Sequence, residues 1–299
     1  MKRPLLQTAL FTLFSLSAFA QATFTFTSFD PPGSSATAAW GINTYGTIVG
    51  SYSAPGGVIY GFERTTKGTY YQPIKLSGEN VYINGINTSQ VKSGYYSASP
   101  LTGYPPNSSV TSFTRSGTTD TDFSVGPDTE IYSLNNKGDL VGIYQENSTT
   151  YPAFFYEAAT NTTTTFSVPG AEFTFAYGIN DPEVIVGASK ETESSTTYQG
   201  FLRRADGHIA TVAFKDAISN IAYNINECNV MVGAFTDAAG ATHGFYGKVN
   251  ALTELDYPGA TATWATGINN SSKIVGQYTD AKGVLHGFLA VPTPLNCDL

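Results

Sequence analysis

Residues 267–276 read GINNSSKIVG, and residues 41–50 read GINTYGTIVG. The frame they share recurs between them as an apolar residue and an asparagine, followed seven residues later by a glycine. The pairs are Ile42-Asn43, Ile86-Asn87, Leu134-Asn135, Ile179-Asn180, Ile225-Asn226 and Ile268-Asn269, and the glycines are Gly50, Gly94, Gly142, Gly187, Gly233 and Gly276. Successive asparagines stand 44, 48, 45, 46 and 43 residues apart. A fixed frame at this period signals a repeat architecture, in which each unit buries its apolar surface against its neighbours.

The rest of each unit falls around that frame. Two residues past the glycine stands an aromatic in five copies (Tyr52, Tyr96, Tyr144, Phe235 and Tyr278), with Ser189 in the sixth. A second apolar run follows, as in Gly61-Phe62, Gly200-Phe201, Gly244-Phe245 and Gly287-Phe288, and a third precedes a Pro-Gly turn, as in Phe166 to Gly170. Four short runs per unit, divided by Gly, Pro, Asn and Asp, describe four β-strands joined by tight turns. The expected fold is all-β, a six-bladed β-propeller of four-stranded antiparallel blades. Its strands are called A (ending at the Asn), B, C (Gly-Phe) and D. The last unit stops after strand C near Val291, whereas Thr23 to Asp30 alternates like an orphan strand D. The N-terminal strand is therefore expected to close the ring, which removes the exposed sheet edges.

Each turn asparagine suits the A–B turn, where its side chain can bond the backbone. A ring of ligand-binding amides is the competing interpretation, and the invariant spacing to glycine favours the turn.

At these residues the chain resembles the HAF-repeat family of extracellular repeat proteins, whose unit reads roughly GIN-x-x-G-x-IVG-x-Y…HAF. The terminal triplet stands here as His243-Gly-Phe245 and His286-Gly-Phe288, with Tyr60-Gly-Phe62 and Gln199-Gly-Phe201 further from it. In units two and three Ser112-Phe113 and Ala153-Phe154 take its place. The resemblance implies secretion and a repeat fold, and it transfers no catalytic residue.

Residues 1–20 read as a signal peptide, with Lys2-Arg3, an apolar stretch, and Ala18-Phe19-Ala20 before the expected cut. The mature domain is then 21–299, secreted to the periplasm or outside the cell, with no membrane span. The net charge of −8 and the lack of any Lys/Arg cluster speak against nucleic acid as a partner. Cys228 and Cys297 are expected to pair in an oxidising compartment, because the short C-terminal tail can reach the A–B turn of the neighbouring unit.

No nucleophile elbow, phosphate loop or metal-ligand spacing is present in the sequence, so no catalytic residue, no metal and no cofactor is assigned. His243 and His286 share one repeat position, and His208 falls in a hairpin turn. Glu130, Asp139, Glu183 and Glu227 read as turn residues. The expectation is a non-catalytic monomer that binds a glycan, a cell-envelope component or a protein. The alternative is a polysaccharide hydrolase or lyase at the channel mouth.

Any ligand site is expected on the face of the D–A and B–C loops. Two long interruptions of the repeat fall there, Ser97 to Ser109 (with Tyr104-Pro105-Pro106) and Glu191 to Thr197. Three residues before each turn asparagine, strand A offers Trp40, Tyr132, Tyr177 and Tyr223, with Asn84 and Thr266 in the remaining units. With Tyr104, these aromatics are the candidate ligand-binding set, unless they simply pack between blades.

Overall fold

A computed structural model describes residues 22–76, 79–101, 106 and 108–297. The signal segment 1–20 and Tyr104 lie outside the described residues.

The described residues run through 23 strands. β1 (Thr23–Phe29) is followed by the first blade, made of β2 (Ala36–Ile42), β3 (Ile48–Ser53) and β4 (Ile59–Arg64). The second blade holds β5 (Asn80–Ile86), β6 (Lys92–Ser97), β7 (Val110–Ser116) and β8 (Thr119–Phe123). The third holds β9 (Glu130–Leu134), β10 (Leu140–Ile143), β11 (Ala153–Glu157) and β12 (Thr162–Phe166). β13 (Phe173–Ile179), β14 (Ile185–Lys190), β15 (Gln199–Arg203) and β16 (Ile209–Val212) form the fourth. β17 (Ser219–Ile225), β18 (Met231–Thr236), β19 (Thr242–Lys248) and β20 (Ala251–Glu254) form the fifth. In the last, β21 (Ala262–Ile268), β22 (Ile274–Thr279) and β23 (Leu285–Thr293) take β1 as their fourth strand. The molecule is thus an all-β, six-bladed propeller of antiparallel blades whose ring is closed by its N-terminal strand.

β1 pairs with β23 from Thr23↔Thr293 to Phe29↔Gly287. Its inward rings touch both neighbours of the seam. Phe24 meets Tyr246 at 5.1 Å and Phe26 meets Tyr257 at 5.5 Å on the fifth-blade side, while Phe29 meets Phe62 of the first blade at 6.2 Å. The first blade departs from the pattern, because its outer strand is reduced to the bridges Gly61↔Ile74 and Arg64↔Tyr70. Pro73 stands between them and has no N–H to donate, which interrupts a ladder there.

The repeat frame now has a packing reason. Each frame glycine lies directly across from the strand C phenylalanine of its own blade, from Gly50↔Phe62 and Gly94↔Phe113 to Gly233↔Phe245 and Gly276↔Phe288. Those phenylalanines are all but completely buried. At Gly276 a Cβ would overlap both the Trp264 carbonyl and the Phe288 ring. The ring therefore lies over the bare backbone, and no side chain fits beneath it.

Candidate functional site

Every inner strand carries a β-bulge against strand B, and the register shifts at the same place in all six blades. The residue skipped by the pairing is in turn Trp40, Asn84, Tyr132, Tyr177, Tyr223 and Thr266. A bulge bends its strand and re-aims the extra side chain. Here it turns one side chain per blade toward the axis, where all six line one central cavity with Tyr95 and Asn224.

The rings form a continuous chain around that axis. Centroids lie 5.9 Å apart for Trp40–Tyr223, 5.3 Å for Tyr223–Tyr177, 4.8 Å for Tyr177–Tyr132 and 6.2 Å for Tyr132–Tyr95, and Tyr95 stacks on Tyr82 at 4.9 Å. The two non-aromatic members bond across blades instead. Asn84 Nδ2 donates to the Ile131 carbonyl at 3.1 Å, and Thr266 Oγ1 donates to the Ala39 carbonyl at 2.6 Å. Close approach of the inner strands is permitted by the glycine of the GIN triplet. A Cβ on Gly178 would stand 2.7 Å from the Asn224 Cα.

Trp40, Tyr132, Tyr177 and Tyr223 are half-buried, so part of each surface faces the central cavity. Protein nevertheless encloses the rest of each side chain. Burial is the leading cause that holds the Tyr177 and Tyr95 phenols well above the ordinary range, and Tyr223 is raised for the same reason. Such phenols stay protonated at any physiological pH, which suits hydrogen bonding and disfavours general-base chemistry.

Glu130 corrects the sequence-based assignment. It is no turn residue: it opens β9, is 1% exposed, and accepts the Tyr132 hydroxyl on Oε2 at 2.8 Å. Its charge also raises Tyr95 and Tyr177. The sign of its role was present in the sequence, since Glu130 occupies the position five before the turn asparagine, where other units carry Ala38, Tyr82, Phe175, Ile221 and Trp264. A lone carboxylate in that apolar register marks the channel. Asp139, by contrast, is a turn former that accepts from Asn135 Nδ2 at 2.8 Å and from the Ala158 N–H at 2.9 Å.

The loop of the second blade reaches the same region. The Leu101 N–H donates to Tyr82 Oη at 2.9 Å, which ties the segment after β6 to the inner strand near the loop-face mouth.

The opposite mouth is ringed by the turn asparagines. Each Oδ1 accepts a backbone N–H four residues on, as in Thr47→Asn43 at 3.0 Å and Val184→Asn180 at 2.9 Å. Each Nδ2 donates to the backbone carbonyl of the next blade's asparagine, from Asn43→Asn87 at 3.2 Å round to Asn269→Asn43 at 3.0 Å. Six links thus close a belt. The amides are spent on turns and on neighbouring blades, so the ring is a clasp and does not compose a ligand site.

The repeat histidines are also structural pairs. His243 Nδ1 lies 2.7 Å from Asp256 Oδ2, and His286 Nδ1 lies 2.7 Å from Asp30 Oδ2. The bond to Asp256 is the main cause raising the His243 imidazole above its usual range. His208 sits in its hairpin turn, with its N–H on Asp206. Cys228 and Cys297 form a disulfide with Cα atoms 5.8 Å apart, and the Cys297 carbonyl accepts Asn226 Nδ2 at 3.1 Å. Such a bridge is consistent with export.

The relatives that can be placed are relatives in fold. No protein-family model matches the chain, and no curated protein matches it. Among solved structures, TolB from Acinetobacter baumannii superposes with a TM-score of 0.51 at 12% identity, over 80% of this chain and 60% of that one. The chain therefore spans about 60% of that protein's length. A luciferin-regenerating enzyme superposes with a TM-score of 0.50 at 9% identity, over 92% of this chain and 97% of that one. These likenesses establish the propeller. Propellers host many functions, so the site must carry the functional argument. No helix among the described residues is long and apolar enough to cross a membrane.

Proposed function

We propose that the protein is an exported, non-catalytic binding module of the HAF-repeat kind, which takes a glycan, a cell-envelope component or a protein at the loop-face mouth of its channel. The observation that carries this reading is the set of six bulges that project Trp40, Tyr132, Tyr177 and Tyr223 to the axis. Aromatic bodies with polar tips suit stacking and hydrogen bonding at a partly wet site. Export is supported by the N-terminal signal and the disulfide.

A second reading is favoured by one contact, the pairing of buried Glu130 with Tyr132, which is the kind of acid–phenol pair a polysaccharide hydrolase or lyase employs. Glycosidases canonically require two carboxylates flanking the scissile bond, and the raised phenols are scarcely ionised, which leaves little phenolate to act as a base. A glycan array run beside assays for released reducing ends and unsaturated products separates the two readings. Retention on the array without turnover is expected. Product formation on any retained polysaccharide would overturn the non-catalytic reading.

A further inference from the structure

The central cavity has a consistent chemical bias. Its free space is about 50 Å³, walled by Trp40, Tyr95, Tyr132, Tyr177 and Tyr223. That space is more than one water needs, so a small ion fits within it. Three polar groups of this wall have their donors committed elsewhere. Asn84 Nδ2 and Thr266 Oγ1 donate to backbone carbonyls, and Tyr132 donates to Glu130. Those three present acceptor oxygens to an occupant, set among aromatic rings.

A phenol that donates its proton to a carboxylate becomes richer in electrons, which strengthens the attraction of its ring for a cation. The charge that acts on Tyr95 and Tyr177 from behind the wall is that of Glu130, and the whole chain carries −8. Both the local and the long-range field therefore favour positive ligands.

We infer that the channel holds a cation cage, in which Trp40, Tyr132, Tyr177 and Tyr223, backed by Glu130, bind a small alkylammonium ion. The rings attract the charge, and Asn84 and Thr266 offer oxygens to its N–H groups. This inference deepens the binding reading and rests on it, since it names a ligand class for the aromatic channel.

The chain has two tryptophans, so Trp264→Phe leaves Trp40 as the reporter inside the cage. In that background, methylammonium chloride at constant ionic strength is expected to give a saturable change in Trp40 emission. Sodium chloride, methanol and the bulkier tetramethylammonium ion are expected to give none. Glu130→Gln keeps the side-chain shape and should weaken the response about tenfold, as loss of the backing charge predicts. Tyr223→Leu should abolish it. Each variant's thermal transition is measured alongside, so that a loss of fold is not read as a loss of site. A response shared by methanol or tetramethylammonium, or one unchanged in both variants, would overturn the cage. Failure of methylammonium with glycan capture intact would remove this inference alone, and capture lost with the cage intact would remove the mouth reading alone.

Discussion

A single asparagine in this protein does two jobs with one amide. At Asn180, 1% exposed, Oδ1 accepts the Val184 N–H at 2.9 Å while Nδ2 donates at 3.0 Å to the Asn226 carbonyl in the next blade. The spacing to Gly187 made the turn role legible in the sequence. The belt was not legible, because its partner stands 46 residues away and is positioned only by the ring. A substitution distinguishes the two jobs. Asn180→Asp keeps the turn acceptor but sets a carboxylate oxygen against the Asn226 carbonyl, so it should destabilise by about 2–3 kcal/mol, at least as much as Asn180→Ala. Urea denaturation measures this, and an aspartate that unfolds like the native chain would reduce the asparagine to a turn former.

The elements repeat the lesson at larger scale. The alternation of Thr23 to Phe29 announced a strand, and the missing strand D of the last unit said where it belongs. Deleting residues 22–30 should leave the β23 edge bare and expose Phe62, Tyr246 and Tyr257, which β1 contacts. We expect such a chain to lose its cooperative thermal transition and to aggregate, and a synthetic peptide of residues 22–33 added during refolding to restore it by strand addition. An unaltered transition without the peptide would mean that β1 does not close the ring. The inner strands were also legible as strands, but their bulges were not. The period of two placed Trp40 and Tyr177 on one face, whereas the extra residue that swings them to the axis depends on the frame glycine and its covering phenylalanine acting across three strands. Glu130 went unrecognised for a related reason, since short runs between turns make a buried carboxylate look like part of the turn.

Across the whole molecule, the disulfide ties the tail that follows β23 to the fifth blade, 69 residues back. The bond spans the blade beside the seam, so it restrains the unfolded chain over a long loop. Replacing both cysteines by serine should lower stability by about 2–4 kcal/mol, with the native blades retained, as read by denaturant midpoint and near-ultraviolet circular dichroism. A variant as stable as the parent would show that β1 alone secures the seam. The number of blades, the strand order and the closing strand follow from local periodicity, turn chemistry and the count of repeats, all of them written in the chain. What meets at the axis depends on the closed ring. Residues about 45 positions apart share one cavity only after the ring has closed, and bulges formed by cross-strand packing aim them there. The aromatic chain, the buried carboxylate and the asparagine belt are products of that closure.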